Sequence, residues 1–121
     1  MKTKKRIEIN GENYTLYLRE NAIPLEIKCE NLNGCYTSYS SLKLAAFNSC
    51  VEREKAIADL INVVCYCGGI YSSAVRRFTY ATNFFKNGKL IAVYYDSSTK
   101  DYTNHTITVY NKEFYDNFPT K

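Results

Sequence analysis

The stretch Arg76-Arg77-Phe78-Thr79-Tyr80-Ala81-Thr82-Asn83-Phe84-Phe85-Lys86-Asn87-Gly88-Lys89-Leu90-Ile91-Ala92-Val93-Tyr94-Tyr95-Asp96 decides how the chain folds. Asn87-Gly88 stands between two runs rich in β-branched and aromatic residues. A type I′ turn needs positive φ at both central residues, which asparagine and glycine tolerate. A two-residue turn pins the register, setting Lys86 opposite Lys89, Phe84 opposite Ile91, Thr82 opposite Val93 and Tyr80 opposite Tyr95. Alternation then sorts the hairpin into two faces. Phe78, Tyr80, Phe84, Ile91, Val93 and Tyr95 form a core-packing set. Arg77, Thr79, Ala81, Asn83, Phe85, Leu90, Ala92, Tyr94 and Asp96 form the other face, with small residues at its centre. That second face reads either as a shallow polar site or as a solvated sheet surface.

Downstream, residues 97–101 (Ser-Ser-Thr-Lys-Asp) are turn-forming, and Thr103–Tyr110 alternates as a third strand of a meander. Asn111 can cap a short helix through Lys112–Asn117, and Pro119 ends it. Upstream, Ile70–Val75 reads as a link that allows a short helix opened by Ser72 or Ser73. Before it, Ser49-Cys50-Val51-Glu52 has the form of a capping box. Ile57, Leu60, Ile61, Val64 and Cys65 then recur at helical spacing, and Gly68-Gly69 supplies a stop. The pattern predicts a helix over about residues 50–67, with Glu52, Arg53, Lys55, Asp59 and Asn62 on its polar face. Arg53 falls in the first turn, where a cation opposes the helix dipole. It is an exposed arginine or one with another task.

Ser40–Phe47 fits both a strand and a helix, and leans toward strand or an irregular approach to the helix. Leu25–Cys29 and Gly34–Tyr39 read as short strands, with Pro24 arguing against a central strand at its own position. At the start, Lys5–Asn10 and Tyr14–Arg19 form a second hairpin around Asn10-Gly11-Glu12-Asn13. A four-residue connection there sets Ile9 opposite Tyr14 and Ile7 opposite Leu16. The whole is a single α+β domain over residues 1–121: a mostly antiparallel sheet, N-terminal hairpin plus C-terminal meander, packed on one central helix. A two-layer sandwich without a long helix is its rival.

With 121 residues, 45% of them hydrophobic and 23% charged, the composition is that of a globular protein with its own core. Twelve Tyr and six Phe without Trp favour half-wet surfaces such as grooves and subunit contacts, and so a homo-oligomer. The net charge of +4 is modest, and Lys2, Lys4, Lys5 and Arg6 hold much of the basic excess. Such a cluster is more often solvated than bound to phosphates, which argues against nucleic acid as the partner. Five cysteines behind a charged, non-apolar start suggest free thiols in a reducing cytoplasm. Cys65-Tyr66-Cys67 is too tightly spaced for zinc and His105 is the sole histidine, so no metal or cofactor is expected. No run is long enough to span a membrane.

Catalytic motifs are wanting. His105 lies mid-strand as a structural histidine would, Cys65 sits on the helix's apolar stripe, and Lys86-Asn87-Gly88-Lys89 lacks the glycine spacing of a phosphate loop. No pair of carboxylates stands at a useful separation. The chain therefore reads as a binder rather than an enzyme. Its candidate ligand residues are Arg53, Arg76, Arg77, Phe78, Asn83 and Tyr94. Arginine can grip phosphates or stack on bases, aromatics stack on bases, and an asparagine can read a base edge or a ribose hydroxyl. The same set would also suit a dimer interface.

The N-terminal hairpin, the capped helix running into Cys67-Gly68-Gly69 and the Arg76–Gly88 hairpin segment together resemble the phage-encoded Thoeris anti-defence sponges that sequester cyclic ADP-ribose isomers. The likeness lies in the arrangement over most of the chain rather than in one motif. It implies a homo-oligomer built from dimers, with pockets at subunit contacts that hold a TIR-derived signal without cleaving it. Some members also hold cyclic trinucleotides at a separate site. The resemblance puts adenine stacking on Phe78 and charge contacts on Arg53 or Arg77, although alternation places Phe78 on the core face. The rival function is a protein-directed or nucleic-acid-binding phage inhibitor, such as an anti-CRISPR.

Overall fold

The computed structural model describes residues 3–20, 41–65, 70–76, 79–97 and 104–118. Six strands, β1 (Lys4–Ile9), β2 (Glu12–Leu18), β3 (Ile70–Arg76), β4 (Thr79–Lys86), β5 (Lys89–Ser97) and β6 (Asn104–Val109), form one sheet. Helix α1 (Ser41–Cys65) packs on it, and the short helix α2 (Lys112–Asn117) closes one end. The α+β class and the mostly antiparallel sheet on one main helix are as the sequence implies.

The strand order is β1-β2-β6-β5-β4-β3. The meander β3 to β6 is antiparallel throughout, and the N-terminal hairpin joins it through a parallel pairing of β2 with β6. That junction sets Leu16 beside Ile107 and Leu18 beside Val109, so buried apolar residues from both ends of the chain meet in register. Matching the buried faces leaves little choice, since a slip of one residue would turn each of them to the opposite side.

Both hairpins turn on Asn-Gly. Asn87 and Gly88 have φ of 53° and 77°, and Asn10 and Gly11 have 51° and 84°. The first hairpin therefore uses a two-residue turn, not the four-residue connection expected from Asn10 to Asn13. Ile9 pairs with Glu12 and Ile7 with Tyr14. The correction moves the register by two, and an even shift keeps every side chain on its expected face.

The second hairpin departs in a way that matters more. Lys86 pairs with Lys89 and Phe85 with Leu90, but then Phe84 pairs with Ala92. The shift between Phe84 and Phe85 makes Ile91 an extra residue, a β-bulge, and its carbonyl accepts from Tyr110 N at 2.9 Å. Ile91 and the next residue, Ala92, both enter the core. Beyond the bulge the parity of β5 is reversed. Tyr94 and Asp96 now face α1 opposite Thr82 and Tyr80, whereas Val93 and Tyr95, expected in the core, lie on the other face.

Helix α1 begins at Ser41, so Ser40–Phe47 is mostly helical rather than strand-like, and Ser49 is an interior residue rather than a cap. A 25-residue helix overrides the local alternation of Leu42, Leu44 and Ala46, because packing on the sheet decides where propensity is ambivalent. Its buried stripe is Phe47, Cys50, Arg53, Glu54, Ile57, Ala58 and Ile61. Ile70–Val75, read as a link or short helix, is instead most of strand β3, which is held by seven paired positions from Ile70–Phe85 to Arg76–Thr79. At the C-terminus, Asn111 caps α2 as expected, its Oδ1 accepting from Phe114 N at 2.9 Å. The expected strands Leu25–Cys29 and Gly34–Tyr39, the Gly68-Gly69 stop, the turn after Ser97 and Pro119 lie outside the described residues.

Candidate functional site

One row of the sheet runs Val75, Tyr80, Asp96, His105 across β3 to β6, and Tyr14 on β2 comes next to His105, their ring centroids 5.3 Å apart. Asp96 is fully buried in the middle of this row. Its Oδ1 lies 2.6 Å from His105 Nδ1, which donates to it. Its Oδ2 accepts from Arg53 Nε at 2.9 Å, from the Tyr94 hydroxyl at 2.7 Å and from Cys50 Sγ at 3.4 Å. A carboxylate has about four lone-pair sites, and four donors converge on this one, three on Oδ2 and one on Oδ1. That is how an anion is kept in a core which would otherwise reject it.

Arg53 is the cation of the pair and is only 7% exposed. Besides Asp96 it touches the Tyr94 oxygen from Nε at 3.3 Å. Its Nη1 donates to Ser49 Oγ at 2.6 Å and to Glu12 Oε1 at 3.1 Å, and its Nη2 to Cys50 Sγ at 3.4 Å. The guanidinium thus ties α1 to β2 and β5. Burial alone would lower its pKa, but the charge of Asp96 and the bond to Tyr94 more than reverse that, and the net shift is upward. It stays charged.

The same surroundings quiet the nucleophiles. Burial, then the charge of Asp96, pushes the Cys50 thiol up to about 12, so it is no thiolate near neutrality. Tyr94 is shifted upward by burial and by Asp96, and Tyr14 by burial, Glu12 and Asp96. Tyrosines 14, 94 and 80 form a chain of tilted rings across the core that Phe47 meets edge-on at Tyr80, with centroids 5.9 to 6.2 Å apart. Adjacent to this network, between the Asn10-Gly11 turn and α1, a cleft of about 300 Å³ is lined by Ile9, Asn10, Glu12, Tyr14, Ser49, Glu52, Arg53 and Ala56.

Of the residues expected to bind a ligand, Arg53 and Tyr94 are brought together. Arg53 is neither in the first helical turn nor on the polar face, but faces the sheet from mid-helix, while Glu52, Lys55 and Asp59 are exposed as expected. Asn83 is 1% exposed and pairs with Val93, which places it on the sheet face away from α1. It does not join the network. The backbone of Arg76 pairs with Thr79, one row from Asp96, and its side chain lies outside what is described, as do Arg77 and Phe78. Asp96, His105, Glu12, Cys50 and Ser49 are not among the ligand residues expected from the sequence, where Ser49 and Cys50 read as a helix start and His105 as structural. A carboxylate beside tyrosines in a β-run was the available signal, and the bulge hid which way it points.

Among the described residues, no group of three or more His, Cys, Asp or Glu could hold a metal ion, and no helix is long and apolar enough to cross a membrane. No family model, curated protein or solved structure matches the chain.

Proposed function

We propose that this protein captures a cyclic nucleotide-type signal, such as a cyclic ADP-ribose isomer, and holds it without cleaving it, counteracting anti-phage defence in the cytoplasm of the infected cell. The observation that carries this reading is the pinned guanidinium of Arg53 on the wall of the cleft. A charge fixed in advance by a buried partner loses little freedom on binding, which is what a high-affinity trap requires. Beside it, Tyr14 offers an aromatic edge, and Glu12, Glu52, Asn10 and Ser49 offer acceptors suited to ribose hydroxyls. The thiol held near 12 and the carboxylate engaged by four donors favour retention over turnover.

The cleft stands at the small end of the roughly 300–1,000 Å³ range of ligand sites. A cyclic dinucleotide-sized molecule would protrude from it, and a second copy of the chain closing over the exposed part fits a homo-oligomer built from dimers. The basic N-terminal strand gives the nucleic-acid alternative little support. Lys5 is engaged with the carbonyls of Tyr115 and Phe118 at 2.7 and 3.2 Å, and Lys4 lies over the Tyr17 ring.

The test is a melting assay with a cyclic ADP-ribose isomer, followed by heat release of the ligand and its identification. Saturation to about 100 times Kd should stabilise the fold by about 2.7 kcal/mol, and the released molecule should be intact. A cleaved product would make the protein an enzyme, and no shift with any cyclic nucleotide would discard the proposal.

A further inference from the structure

Arg53 is held by two kinds of partner. Asp96, Tyr94 and Cys50 are fully buried, and Ser49 stands one turn back on the same helix. None of these can leave without stranding a charge or a polar group in the core. Glu12 differs. Its side chain is 40% exposed, it follows the Asn10-Gly11 turn at the first position of β2, and its Oε1 takes Arg53 Nη1 at 3.1 Å. Among the described residues its other oxygen meets only a long 3.5 Å bond from the Tyr14 hydroxyl. Glu12 and Arg53 both line the cleft.

We infer that Glu12 is a built-in occupant of an anion site on Arg53, its carboxylate standing where a phosphate or pyrophosphate oxygen of the ligand goes, and that binding swings it aside. This rests on the cleft being the ligand site, as proposed above, and adds which ligand group lies on Arg53 and what must move. Displacing Glu12 frees an N–H of Nη1, while Nη2 keeps one N–H with no partner among the described residues. A phosphate can therefore be gripped at two points where the carboxylate is gripped at one. The carboxylate then returns to water, where it costs little to solvate, and Asp96 keeps the guanidinium in place throughout. The arrangement selects for ligands charged enough to outcompete an intramolecular carboxylate, so monoanions bind poorly and pyrophosphates well.

The experiment is calorimetric titration of inorganic pyrophosphate, at low ionic strength, into the full chain and its Glu12→Gln and Glu52→Gln variants. Glu52 lines the same cleft and is exposed, but makes no hydrogen bond or ion pair to Arg53, so it controls for net charge alone. Glu12→Gln should bind about three- to tenfold tighter, the scale of neutralising one carboxylate a few ångströms away in a solvent-screened site. Glu52→Gln should change affinity by less. Arg53→Lys, which keeps a charge but loses the planar fork, should abolish the gain from Glu12→Gln. Unchanged or weaker binding in Glu12→Gln, an equal gain in Glu52→Gln, or no pyrophosphate binding by any variant would overturn the inference. Tighter pyrophosphate binding by Glu12→Gln, with no cyclic nucleotide bound, would instead sink the proposed ligand and leave the anion site standing.

Discussion

Replacing Asp96 by Asn removes one charge and almost no volume, so its cost measures the buried network directly. Four donors converge on this carboxylate, from Arg53, Tyr94, Cys50 and His105. An amide can accept from those on one side only, and turns its own N–H groups toward the donors on the other. Arg53 would be left charged in the core, with only Glu12, itself half in water, as counter-ion. Losing one partner of a buried ion pair costs about 3–5 kcal/mol, a large part of the 5–15 kcal/mol typical of a domain. In a chain of this size that lowers Tm by about 10–20 °C. The assay is urea unfolding of the wild type, Asp96→Asn, Arg53→Met and the double variant, followed by circular dichroism. Methionine retains most of the arginine stem's packing without its charge. The double variant has no stranded cation, so it should be more stable than the sum of the single losses predicts, by about 1–3 kcal/mol. Strict additivity, or an Asp96→Asn loss below about 1 kcal/mol, would show that the pair behaves as a surface salt bridge and that the network does not hold the site.

Stability should also fall in alkali. Cys50 has an ordinary value of 9.0 and is held near 12 in the fold, and Tyr14 and Tyr94 are shifted upward as well. The folded state keeps these protons where the unfolded chain has shed them. The thiol's contribution is therefore whole below pH 9 and declines as pH rises toward 12, by up to about 1.4 kcal/mol per pH unit. Tm measured from pH 8 to 10.5 should drop, and drop less in Cys50→Ala; identical slopes for the two proteins would count against the buried thiol. Gly88 has φ of 77°, and an added Cβ would meet nothing within 4 Å. Gly88→Ala should therefore cost only the backbone strain, about 1–2 kcal/mol, and chemical denaturation showing no loss would mean that the turn is not the type I′ form.

Much of the fold is legible locally. Asn-Gly between β-prone runs carries its own backbone requirement, and alternation within β2, β4 and β6 needs no knowledge of the partner strand. The same holds for Asn111, whose cap bonds a backbone amide three residues on. Even a two-residue first turn in place of a four-residue one leaves the faces of β1 and β2 intact, because the shift is even.

The site is legible only in part, since Arg53 and Tyr94 stand among the expected residues and their shared partner Asp96 does not, and the reason lies in one residue of β5. Ile91 is ordinary strand sequence, and nothing in it announces a bulge. The extra residue shows only in the pairing with β4 and in what Ile91 meets across the fold: its carbonyl accepts from Tyr110 N, and both Ile91 and Ala92 reach the core. That odd shift turns Asp96 inward. Arg53 follows from it. A charged residue on a helix reads as solvent-facing, since burying an unpaired cation is prohibitive, and its partner lies 43 positions away in the chain. Sequence patterns assign each residue to a face from its neighbours, whereas a buried ion pair exists only when two distant faces have already been chosen together.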